Sequence, residues 1–230
     1  MVQVNNTPIV LRVKFFKKGN LQYISHLDLV RTMMKVIVRA GLPLKYTEGF
    51  NPKPKLTFAA PLSIGTESLS EFMDIRLSEK MDTDEAVKAL NANMAPEMQA
   101  IEAYYPETRL TDLAWLSYRI TVDTRGDVTE NVRKCEAVLE QSQILVEKKG
   151  KDDAVFDIKP LIKEISVRAE DTLIVIDATI SGDQSRFLNP EYLIKALKNG
   201  AGILSSSDIA DEGYSIVRLE GYDKDMNIFR

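Results

Sequence analysis

Residues 19–65, GNLQYISHLDLVRTMMKVIVRAGLPLKYTEGFNPKPKLTFAAPLSIG, decide how the chain is read. Ser25 with Asp28 three residues on has the form of a capping box, in which side chains take up the free amides of a helix start. A helix is therefore expected over residues 26–40, ended by Gly41 and kept from resuming by Pro43. Its buried face is expected to comprise Leu27, Val30, Met34 and Ile37, joined by Leu29, Met33 and Val38. Arg31, Lys35 and Arg39 recur every four residues and so form one basic stripe on the other side. The following loop, 48–55, holds Pro52 and Pro54, which restrict their own dihedrals and those of the residues before them. A stiff surface loop beside the helix start is expected, with Phe50, Asn51 and Lys53 facing His26.

Working outward, residues 9–16 alternate as a strand, and strands are expected over 56–60 and 71–77. A helix over 83–93, with Asp82 or Thr83 as cap, and a strand over 98–105 complete the order β-α-β-β-α-β, the ferredoxin-like pattern. A second such run is expected downstream: strand 115–122, helix 129–141, strand 144–148, and a hairpin of 163–168 with 172–180. A helix over 190–199, between Asn189 as cap and Gly200 as terminator, and a strand over 214–222 close it. The expected fold class is α+β, two tandem ferredoxin-like domains covering residues 1–110 and 111–230. A length of 230 residues suits two domains of about 110 each.

Charge is unevenly spread along the chain. Residues 10–60 hold ten basic side chains against Asp28 and Glu48, a net +8. The other residues hold twenty basic and thirty-two acidic side chains, a net −12. A basic first domain on an acidic second one is the pattern of a polyanion-binding face carried on a solubilising scaffold.

Several classes are set aside by what is missing from the sequence. No run reaches the ~20 apolar residues of a membrane span. The opening MVQVNNTPIV has neither the basic nor the apolar region of a signal peptide, and the single Cys135 rules out an internal disulfide. A cytoplasmic location and no membrane contact are expected. One Cys and one His cannot close a zinc site or hold an iron–sulfur cluster, and no phosphate-loop glycine motif occurs. No metal and no cofactor are expected. Ser25, His26 and Asp28 crowd one helix start and cannot form the line a hydrolytic triad requires.

The chemistry left is that of a phosphate backbone and its bases. Arg31, Lys35 and Arg39, with Lys53 and Lys55 from the loop, have the layout to track phosphates. Lys17 and Lys18 in the preceding turn add to them. Tyr23, Tyr46 and Phe50 are placed to stack on bases, and Phe58 reads as either a stacking platform or a core residue. His26 at a helix N-terminus suits a phosphate contact or an acid–base role, and equally a structural one. The RNA-binding set expected is thus Lys17, Lys18, Tyr23, His26, Arg31, Lys35, Arg39, Tyr46, Phe50, Asn51, Lys53 and Lys55. No catalytic residue is assigned, with His26 the candidate.

The motifs YISHLD (23–28), Arg31, GLP (41–43), GFNP (49–52), Pro54-Lys55 and Pro61-Leu62 resemble the radical SAM-linked, or radical SAM-associated, bacterial protein family, whose function is unknown. The resemblance covers essentially the whole chain. It implies partnership with a radical SAM protein, in the same polypeptide or in trans. The chain lacks the CxxxCxxC cluster motif and so is not the radical SAM catalyst. The family loop is commonly GFNPHPK; Lys53 replaces its histidine here, which speaks against a two-histidine pair and leaves a phosphate contact intact. Three functions follow as expectations. The first is an RNA-binding accessory module presenting tRNA or rRNA to a radical SAM partner. The second is an RNA-processing or RNA-modifying enzyme using His26. The third is a protein-interaction subunit that does not touch RNA.

Overall fold

Alternation along Ile9–Lys17 (β1) sends Leu11, Val13 and Phe15 to one side, where all three are fully buried. The computed structural model of the chain describes residues 8–148, 154–206 and 211–230, and is an α+β protein built as two units. The first runs to Asp112 and includes Arg230, and the second spans Leu113–Phe229.

After β1, the first unit continues with α1 (His26–Arg39), β2 (Leu56–Phe58), β3 (Thr66–Leu77), α2 (Thr83–Asn91) and β4 (Met98–Tyr104). Its strands lie in the order β4-β1-β3-β2, each antiparallel to its neighbour. The core forms where the β1 triad and Met73, Ile75 and Leu77 of β3 meet Leu29, Met33 and Ile37 of α1 and Leu90 of α2.

Helix α1 begins as the capping pattern requires. The Ser25 hydroxyl accepts from the Asp28 amide at 3.1 Å and donates to the Asp28 carboxylate at 2.7 Å. Ser25→Ala should therefore cost about 1 kcal/mol, and Ser25→Asn much less, since asparagine caps as well as serine. A urea-denaturation midpoint unmoved by Ser25→Ala would contradict this. The buried face differs from the expected one. It consists of Leu29, Met33, Val36 and Ile37, while Leu27 and Val38 lie on the solvent side. At 100° per residue Leu27 stands about 200° from Leu29, so the two cannot share a core face.

The second unit contains β5 (Trp115–Asp123), α3 (Val128–Leu139), β6 (Leu145–Lys148), β7 (Ala154–Asp157), β8 (Ile162–Glu170), β9 (Leu173–Ser181), α4 (Glu191–Ala201) and β10 (Gly213–Tyr222). Its sheet order is β10-β5-β9-β8, again antiparallel throughout. Setting aside the β6–β7 ribbon between α3 and β8, it repeats the element order and strand order of the first unit. Strand β7 was not expected from the sequence. Nor does Gly200 end the last helix: it lies inside α4, where a Cβ would meet Val138 Cγ2 at 2.7 Å. Its role is to let α4 approach α3 closely, and α4 ends at Gly202 with φ +71°. Among the described residues no helix is long and apolar enough to cross a membrane.

Candidate nucleic-acid interface

The basic stripe on α1 is fully available. Arg31, Lys35 and Arg39 are exposed on the side of the helix away from the core, and among the described residues only Arg31 has a nearby acid, Asp28 at 3.4 Å. An ion pair this exposed contributes a few tenths of a kcal/mol, so it does not tie up the guanidinium. From Arg31 to Arg39 the stripe rises ~12 Å along the helix.

Two residues after α1 the chain reaches Gly41, and Leu44 then pairs with Leu77 at the end of β3. From there residues 45–55 form an irregular two-stranded ribbon. Lys45 N donates to Arg76 O at 2.9 Å, Lys55 N to Lys45 O at 3.0 Å, and Tyr46 bridges to Pro54. Thr47 and Lys53 close the tip twice over: Thr47 N donates to Lys53 O at 2.8 Å, and Lys53 N to Thr47 Oγ1 at 3.0 Å. Gly49 takes φ +117°, a conformation other residues rarely adopt, and this lets the tip turn. Beyond the closure, Phe50 is completely exposed and Asn51 and Lys53 are exposed beside it; Lys55, at the base, is half-buried.

At the start of α1, His26 meets Phe58 of β2. The imidazole packs edge-on against Phe58, with centroids 5.5 Å apart and an interplanar angle of 82°. Phe58 lies opposite Met73 on β3, whereas the ribbon leaves the sheet at Arg76. Three residues of strand separate those points, ~10 Å. Phe58 in turn packs edge-on against Phe15, which settles it as part of the core wall.

Tyr23 ends a 3-10 helix, Gly19–Tyr23, just before α1, and is 64% exposed; Lys18 ahead of it is exposed with its ammonium 4.4 Å from the Phe16 ring centre. Lys17 is a correction. It is buried, on the same alternation as Leu11, Val13 and Phe15, and its ammonium donates to Leu21 O at 3.2 Å. Arg12, counted in the +8, is also buried. It forms a fork to both Asp74 oxygens at 2.7 and 3.0 Å and donates to Thr108 Oγ1 and O. Both cations hold the unit together and neither faces solvent. Sequence reasoning also missed the apolar part of this surface. Leu27, Val38 and Ile64 stand exposed among the basic and aromatic residues.

Other features of the chain argue for structure. Cys135 is fully buried in α3, and burial first, then the nearby Glu136 carboxylate, push its thiol up to about 11. In the folded chain it should react with an aromatic disulfide reagent at pH 8 at least a hundredfold more slowly than after denaturation, because little thiolate forms and access is blocked. Reaction at the rate of a free thiol would contradict that. Among the described residues no group of three or more His, Cys, Asp or Glu side chains is placed to hold a metal ion. A cavity of about 770 Å³ opens in the second unit beside Lys195, Leu204 and Tyr214, and none of the expected site residues lines it.

Comparison with known proteins bears on the fold and the family. No curated protein matches the chain. The crystal structure of a Cbf5-Nop10-Gar1 complex contains a chain similar in fold, with a TM-score of 0.50, 12% identity and 92% of this chain covered. The match takes up 48% of that chain, so this protein spans about half its length. The crystal structure of an unknown protein from Galdieria sulphuraria is also 12% identical, covering 92% of this chain and 99% of that one. Its TM-score of 0.26 is too low to bear on fold or function. A family model described as "Uncharacterized protein conserved in bacteria (DUF2344)" matches residues 10–190, which take in α1, the ribbon and every residue of the basic surface, and the chain belongs to that bacterial family.

Proposed function

We propose that the chain is an RNA-binding accessory module that presents tRNA or rRNA to a radical SAM partner enzyme in the cytoplasm. The observation that carries this reading is the exposed surface of the first unit. On it Arg31, Lys35, Arg39 and Lys53 accompany the solvent-facing rings of Tyr23, Tyr46 and Phe50. Cations that neutralise phosphates, interleaved with rings that stack on bases, are the two components RNA surfaces combine. The strand order shared by the two units supports their reading as tandem ferredoxin-like domains. Partnership with a radical SAM protein rests on the resemblance carried by residues 23–62. An enzyme centred on His26 has less support, because the exposed imidazole has the Phe58 ring as its packing partner.

The test is affinity purification of the full chain from a native host under anaerobic conditions, with bound RNA sequenced and bound protein identified. Recovery of a defined RNA together with a radical SAM protein is expected. The triple variant Arg31→Gln, Lys35→Gln, Arg39→Gln should lose the RNA. Recovery of the radical SAM protein alone, unchanged in the triple variant, would overturn the RNA reading in favour of a protein-interaction subunit.

A further inference from the structure

We infer that the 45–55 ribbon is a preformed wedge for an unpaired nucleobase, so that the RNA bound is single-stranded or looped at this point, with Phe50 as the stacking platform. The inference rests on the RNA reading above and adds the substrate class and the residue that selects it. A phenylalanine ring completely exposed at a loop tip leaves its apolar faces in water, and these are what a ligand would cover. What covers them is indicated by the surrounding charge. The ribbon carries Lys45, Lys53 and Lys55 against Glu48 alone, and the Arg31/Lys35/Arg39 stripe ends at the helix terminus from which the chain enters it. A polyanion with flat apolar groups complements that combination.

Unpaired bases are favoured over a duplex for a geometric reason. In a duplex the base faces are stacked on one another, and the A-form major groove is too deep and narrow for a side chain to read. A ring on a narrow tip reaches a base face only where the base is free. The ribbon is also built to hold its shape. Two hydrogen bonds between Thr47 and Lys53, the Tyr46–Pro54 bridge, Pro52 and Pro54 fix the tip before any ligand arrives. Little ordering is then required on binding, which suits a wedge better than a mobile clamp. Tyr46, 43% exposed at the ribbon base, offers a second ring for the neighbouring base.

The experiment uses the full chain with three fluorescent RNAs: an unpaired 12-mer, a hairpin with a seven-nucleotide loop, and a blunt duplex of the same stem. Phe50→Ala should weaken the 12-mer and the hairpin about 5- to 150-fold, the range measured for one stacked base, and leave the salt slope and the duplex affinity unchanged. Phe50→Tyr should restore most of the loss. With 2-aminopurine in the loop, the fluorescence change on binding should vanish in Phe50→Ala. Salt-dependent binding of all three RNAs with equal affinity, unaffected by Phe50→Ala, would overturn the wedge and leave the RNA reading standing. Absence of binding to any of the three RNAs at low salt would overturn the RNA reading and the wedge with it.

Discussion

Replacing Arg12 by alanine should destabilise the first unit by about 3–5 kcal/mol, the cost of removing one partner from a buried ion pair. Arg12 is wholly buried, the Asp74 side chain is 17% exposed, and the two are direct neighbours across β1 and β3. The same guanidinium donates to Thr108, whose hydroxyl donates to the Arg230 carbonyl, so one side chain ties two strands to the segment after β4 and to the last residue. Alanine would leave the partly buried Asp74 carboxylate without its cation. Amide hydrogen exchange in β1 and β3 should quicken from about a hundredfold to several thousandfold, at 1.4 kcal/mol per factor of ten. The double replacement Arg12→Met, Asp74→Leu should recover most of the loss, because no charge is then stranded. A loss under about 1 kcal/mol for Arg12→Ala would show that the pair is not structural.

Removing the α1 stripe should have the largest effect on binding and almost none on folding. Gln has nearly the helix propensity of Arg and Lys, and Arg31, Lys35 and Arg39 lie off the core face. Each phosphate neutralised contributes roughly 0.7 to 0.9 to the slope of log K against log salt, through release of condensed cations. The triple Gln variant should therefore flatten that slope by about 2 and weaken binding on the order of a hundredfold at 50 mM salt. Lys88→Gln on the exposed side of α2 removes one charge outside the stripe and should move the slope by less than about 1.

Much of this was legible in the residues, and the exceptions have physical causes. The cap at Ser25, the end of α1 and the element order of the first half follow from local patterns, which act over a few residues. The burial of Arg12 does not, since it depends on Asp74, Thr108 and Arg230, 62 to more than 200 positions away. Lys17 was legible and was misread as turn. Period-two alternation continues from Phe15 to Lys17, and that places it on the core side. The exposure of Leu27 and Val38 was likewise available from the helical period, once Leu29, Met33 and Ile37 are taken as the centre of the face. What the sequence does not contain is the direction of the 45–55 ribbon. Its exit at Arg76 depends on a junction of three chain segments, and no local propensity encodes it.

The most direct measurement is a salt titration of RNA binding, from 50 to 300 mM potassium chloride, with the folded full chain and its triple Gln variant. Log K should fall with log salt at a slope of roughly −2 to −5 for the natural chain, as three to five phosphate contacts require. The slope should be shallower by about 2 for the variant. No binding at 50 mM, or a slope that is the same in both proteins, would contradict the assignment of this surface to RNA.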